Sequence, residues 1–229
     1  MEITASTPDK ITIYGTTYSM RPLDPKEYEV FNRDFELWLS GTPDSVLRKI
    51  LMARKKYILA GLRIILNSPE LKGRVFRGFG ADDEEIGWTA PRWCFFKAGG
   101  SVLTSWSTSV STSWSDWLYE SSDTGYVLSD YFGYIITHLT SLVSPEPYVR
   151  QVYFKIGRKE HLPIDVSKII LGDNENNVAY MPIPIMIVPP STQFLAKHIG
   201  ESSGTDKLIP DGVIVGLGRA LKQLTNPFI

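Results

Sequence analysis

The chain has 229 residues and a mass of 25.8 kDa, enough for one large domain or two small ones and for a proper core. Hydrophobic residues make up 43% and charged residues 21%, which excludes a mostly disordered chain, and a net charge of −1 argues against wholesale nucleic-acid binding. The single cysteine, Cys94, excludes an intrachain disulfide and any thiolate-rich zinc or iron–sulfur site.

The first ten residues carry neither a basic nor an apolar run, so no secretory signal is expected. They read as an extended arm able to reach a neighbouring molecule. Residues 11–20 alternate weakly around Gly15 and predict a short β-hairpin. Asp24-Pro25-Lys26-Glu27 then has the cap, first-turn proline and capping-box acid of a helix start. Tyr28, Phe31, Phe35 and Trp38 follow at helical spacing, and Ser40-Gly41 stops the helix. Thr42-Pro43-Asp44 opens a second helix, whose wide apolar stripe runs from Val46 to Ile65 with Leu47, Leu51, Ile58 and Leu62 alongside. Residues 24–67 therefore predict a helical hairpin.

The run Asp82-Asp83-Glu84-Glu85 sits among Gly73, Gly78, Gly80 and Gly87 and reads as a solvated acidic loop. It lacks the glycine-spaced ligand pattern of a calcium loop. Residues 101–115 alternate strictly: Val102, Thr104, Trp106, Thr108, Val110, Thr112 and Trp114 on one side, small hydroxyl residues and Leu103 on the other. This predicts a strand that could reach roughly 45 Å; since that is long for a strand, a bend or a hairpin with a serine turn is the more cautious model. Residues 128–143 fit a helix capped by Ser129, although the β-branched content and Gly133 speak for a strand. Strands are expected at 148–156, 164–171 and 178–188, with a turn at Gly172-Asp173-Asn174. Prolines 182, 184, 189 and 190 push the last of these to a sheet edge or an interface. No apolar run approaches the roughly 20 residues of a membrane span. A short helix over 219–224 closes the chain.

The expected fold is α+β: an N-terminal helical hairpin followed by a mostly antiparallel sheet or sandwich. Residues 1–80 would form the arm and hairpin and 81–229 the β-rich region, as one compact unit.

No coherent catalytic set emerges. Val213-Ile214-Val215-Gly216-Leu217-Gly218 resembles a dinucleotide loop, but the chain ends too soon for the second strand, so a strand–turn–helix terminus is the better account. Cys94 with His138, His161 or His198 would supply a thiol and a base, yet no nucleophile turn surrounds it. His198, beside Lys197, reads as surface. The histidines have no metal-pair spacing. The sequence thus points to no catalytic residue, cofactor or metal.

Charge is more informative. Between Val46 and Arg77 nine basic residues, including Arg48, Lys49, Arg54, Lys55 and Lys56, meet the single acid Glu70, a net of +8. Between Asp82 and Asp130 eight acids meet Arg92 and Lys97, a net of −6. The blocks either pair within the fold or join two copies head to tail, and a local phosphate-binding patch is a weaker alternative. Trp106, Trp114 and Trp117, with the proline-punctuated segment around Pro182 and Pro184, complete the candidate interaction residues.

Together these features point to a non-enzymatic structural subunit. Its most concrete form is a virus or phage particle component (capsid, neck, tail or decoration) that contacts copies of itself or other particle proteins and no membrane. Such a protein would be soluble and made in a cytoplasm. The alternatives are an aromatic-surface carbohydrate-binding module and a Cys/His hydrolase.

Overall fold

The computed structural model of the chain describes residues 9–13, 15–42, 44–89, 108–116, 126–141, 148–166, 169–171, 177–179, 185–206 and 208–225. In chain order these form β1 (Lys10–Ile13), β2 (Thr16–Ser19), α1 (Pro25–Gly41), α2 (Ser45–Ile65), β3 (Phe76–Gly78) and β4 (Ile86–Thr89). Next come β5 (Thr108–Val110), β6 (Ser115–Asp116), β7 (Tyr126–Val127), β8 (Phe132–Ser141), β9 (Val149–Ile156), β10 (Lys159–Glu160) and β11 (Ile164–Asp165). The remainder are β12 (Ile169–Leu171), β13 (Asn177–Ala179), β14 (Met186–Val188), β15 (Gln193–Gly200), β16 (Gly204–Asp206), β17 (Leu208–Leu217) and α3 (Gly218–Thr225). The chain is a mixed α+β protein. Cys94, Trp106, Trp117, Pro182, Pro184, the 172–174 turn and the first eight residues of the expected arm lie outside the described residues.

Both long helices start as their sequences dictate. The Asp24 carboxylate accepts from the Glu27 N–H at 2.8 Å, and Glu27 accepts back from the Asp24 N–H at 3.2 Å, which closes the capping box. Asp44 caps α2 by accepting from the Leu47 N–H at 2.9 Å. Thr42, expected to help open α2, instead closes α1: its N–H reaches the Leu39 carbonyl and its hydroxyl the Trp38 carbonyl. α1 packs chiefly on β3 and α2 on β8. Phe31, Phe76, Trp38 and Phe79 all lie with ring centroids within 6.2 Å of Trp88 on β4. Phe31, Phe76 and Trp88 are buried.

Among the described residues, the larger sheet has the path β12-β13-β8-β17-β4-β3, with β14 also on β8; the second runs β10-β9-β15-β6, with β11 on β9 and β7 on β15. β3–β4 is the parallel pair, and the other ladders are antiparallel. Buried residues of both sheets and the helices belong to one hydrophobic core. α2 approaches β8 closely because Gly61 and Gly133 lack side chains: a Cβ on Gly61 would lie 3.1 Å from Ile135, and one on Gly133 3.1 Å from Ile65.

Several expectations are corrected. Residues 132–141 are the strand β8, not a helix. Every residue from Phe132 to Leu139 is buried. A strand covered on both faces reads as a continuous apolar run, and its periodicity cannot separate it from a helix. The described part of 101–115 is not one straight strand; it breaks at serines, as the alternative with a serine turn expected, but the two halves pair with other strands and not with each other. β5 pairs with β16, β6 pairs with β15, and a turn at Ser111–Ser113 separates them, with the Ser113 N–H donating to the Ser111 hydroxyl at 3.1 Å. The supposed apolar side splits accordingly: Val110 is buried and Trp114 is 42% exposed. Residues 186–188 of the proline-punctuated segment do not face a partner. They pair with β8 and are buried in this chain's own core. His198 is fully buried on β15, not at the surface.

Candidate functional site

The candidate residues separate into three settings. The first is a groove of about 540 Å³ on the outer face of the second sheet. Tyr153 on β9 and Lys197 on β15 are cross-strand partners and form its floor. Glu160 ends β10, and residues 161–163 cross back along β9 as one wall: the His161 N–H donates to the Phe154 carbonyl, and Ile164 re-pairs with Val152. The opposite wall is Trp114, whose ring centre lies 6.1 Å from that of Tyr153 with the planes 66° apart. Leu162 stands at the rim with 87% of its surface exposed.

His198 fixes the Trp114 wall from inside the sheet. Its Nε2 lies 3.1 Å from the Ser109 carbonyl, which can only accept, so this nitrogen carries the proton. The same atom lies 3.5 Å from the Ser115 hydroxyl. The Gly200 N–H donates to the Ser111 carbonyl. The strands on both sides of Trp114 are thus tied to β15.

The groove's polar groups are partnered. Glu160 accepts from the Tyr153 hydroxyl and lies 3.4 Å from the Lys155 ammonium. Burial, with the Glu160 carboxylate beside it, pushes the Tyr153 phenol above its ordinary value. Burial, aided by the positive charge of Lys159, holds the His161 imidazole below its ordinary value and favours the neutral ring.

The second setting is α2, which carries six basic residues and no acid. The fold divides them. Arg54 is buried and donates to the Thr137 carbonyl on β8; Arg63 is buried and donates to the Arg21 carbonyl at 2.8 Å. Lys55 pairs with Glu36 at 3.1 Å and lies 4.9 Å above the Phe35 ring. Arg48, Lys49 and Lys56 remain exposed, Lys56 beside the Tyr57 ring at 4.8 Å. Beneath Arg54, Asp211 Oδ2 lies 3.5 Å from the buried His138 Nε2, and the Thr137 hydroxyl lies 2.8 Å from Nδ1. This cluster is closed to solvent and reads as support for the β8–β17 irregularity at Asp211–Gly212.

The third setting is the acidic run. Glu84 pairs with Arg74 at 2.5 Å and with Arg219 at 2.6 Å, Glu85 with Arg77 at 3.0 Å, and Asp83 with Lys222 at 2.8 Å. It is not a free loop but a dock for α3 and for the chain leading into β3. Among the described residues, no three His, Cys, Asp or Glu side chains converge as a metal site would require.

The structure therefore brings Trp114 together with residues that sequence reasoning missed: Tyr153, Glu160, Leu162 and Lys197. A signal existed. The polar face of the strand expected at 148–156 reads Gln151, Tyr153, Lys155, an aromatic ring among polar groups. The wall from 160 to 163 depends on a chain reversal that carries no pattern. Trp114 is not joined to Arg48, Lys49, Arg54, Lys55 or Lys56, which stand on α2.

No protein-family model, no curated protein and no solved structure matches this chain. The residues themselves must carry any functional argument.

Proposed function

We propose that the protein is a non-enzymatic structural subunit of a larger assembly, most concretely a component of a virus or phage particle, and that it associates with copies of itself through the Trp114–Tyr153 groove. The observation that carries this reading is the pairing of Leu162, 87% exposed, with the 42% exposed Trp114 at the rim of one concave site. A large aliphatic side chain in water beside an exposed indole has the composition of an interface anchor and its socket. The charged groups Lys155, Glu160 and Lys197 surround it as the polar rim of an interface would.

The same rings suit a sugar less well. The planes of Trp114 and Tyr153 differ by 66°, so the two rings do not form one continuous flat platform for a sugar chain. Head-to-tail pairing of the two charge blocks is also less favoured, because Arg74, Arg77, Arg219 and Lys222 already neutralise much of the acidic run. Sedimentation velocity over a range of concentration and salt tests the proposal. Reversible growth in mass with concentration, little affected by salt, is expected of an apolar contact. A single monomeric species under all conditions overturns it, and glycan binding lost on Trp114→Ala would assign the groove to carbohydrate.

A further inference from the structure

A cluster of exposed basic residues lies on α2. Its C-terminal half is enclosed: Ala60 to Ile65 are all buried. Its N-terminal half has one open side, bearing Arg48, Lys49, Met52 and Lys56. At 3.6 residues per turn these four fall within an arc of about 100° and span about 12 Å of the axis. No carboxylate among the described residues pairs with Arg48, Lys49 or Lys56, and the nearest acidic run in sequence is taken up by other cations.

We infer that this stripe docks the phosphate backbone of a nucleic acid, without reading its sequence. Charge complementarity carries the choice: three exposed cations on one face of a helix, with no carboxylate partner among the described residues, match a row of phosphates. A lipid surface fits less well. A helix lying in a membrane needs its apolar face free, whereas the apolar face of α2 (Leu47, Leu51, Ile58, Leu62) is buried in the core, leaving Met52 as the one large apolar side chain in the stripe. An arginine at position 48 also suits a phosphate geometrically, since its guanidinium can hold two oxygens at once. The near-neutral net charge of the chain hides this patch without contradicting it, because the field near a surface follows local charge.

Fluorescence anisotropy with a short random-sequence duplex tests the inference on the full chain. Three phosphate contacts predict a log–log salt slope of about −2.7, hence a loss of about 40-fold between 50 and 200 mM salt. The triple exposed-site variant Arg48→Gln, Lys49→Gln, Lys56→Gln should abolish binding while leaving the sedimentation behaviour unchanged, which separates this surface from the groove. Should that variant fold poorly, Lys49→Gln alone should reduce the slope by about 0.9. No binding at low salt, or equal binding by the triple variant, overturns the inference. So does equal competition by polyglutamate, which would mark an acidic protein surface, or binding to phosphatidylserine vesicles but not to DNA.

Discussion

Two buried carboxylates on α1 hold the chain that leads into β4. Glu27 accepts from the Phe76 N–H at 2.8 Å and from Arg21 at 2.7 Å, besides closing its capping box. Asp34, with no exposed surface, accepts from the Phe79 N–H at 2.6 Å and from Arg33 at 2.7 Å. Gly78 makes the second grip possible: its φ is +75°, and a Cβ there would lie 1.8 Å from Asp34 Oδ2. Asp34→Ala should cost about 1–2 kcal/mol in denaturant unfolding, because it strands a half-buried N–H. Gly78→Ala should cost at least as much, from left-handed strain and the clash together. The double variant should lose less than the sum, since the contact with the carboxylate disappears and only the 2.8 Å approach to Val30 Cγ1 remains; strict additivity would contradict the described contact.

His161 gives a pH prediction at the same scale. Its folded pKa lies below the ordinary 6.5, so between the two values the unfolded chain binds more protons and stability rises with pH. Acidification through 6.5 should therefore destabilise the wild type. His161→Gln should show a shallower loss over that window in urea titrations, and an identical pH profile would contradict the burial argument.

Among the elements, α3 shows how geometry outranks exposed charge. Its start is clamped by backbone bonds: the Gly218 N–H donates to the Glu85 carbonyl and the Arg219 N–H to the Asp83 carbonyl. A Cβ at 218 would lie 2.1 Å from the Asp82 carbonyl oxygen. Thermal unfolding should accordingly show Gly218→Ala as the severe variant and Arg219→Ala as a loss of about 1 kcal/mol or less, given the exposed ion pair it breaks. The reverse order would mean that the ion pairs hold α3. This terminus was legible in advance, since an apolar β-branched run followed by glycine and a short amphipathic segment encodes a strand entering a helix. So were the two long helices, whose caps and stripes are local signals. β8 was not: burial on both faces erased the alternation that identifies a strand. β15 passed unnoticed because Lys197 and His198 suggested surface, whereas the pleat sends Lys197 outward and His198 into the core.

For the whole molecule, the net charge of −1 conceals a division of labour. The acidic run and its four cations close the fold on itself. Arg54 and Arg63 are taken into the interior. Among the described residues, α2 presents a short cationic stripe to solvent, and the second sheet an aromatic groove with an exposed leucine. Composition showed both charge blocks but could not show which members pair, since the partners of the acidic run lie 8 to 139 positions away. The groove was legible only through Trp114; its other wall arises from a reversal that no periodicity announces.

The central claim is that copies of this chain associate through that groove. Light scattering coupled to size-exclusion chromatography, comparing the wild type with Leu162→Asp at equal concentration, tests it most directly. Leu162 is so exposed that the substitution should leave monomer stability within about 0.5 kcal/mol. The account predicts a wild-type mass above that of one chain and a monomeric variant with unchanged circular dichroism. An identical mass for both proteins would contradict it.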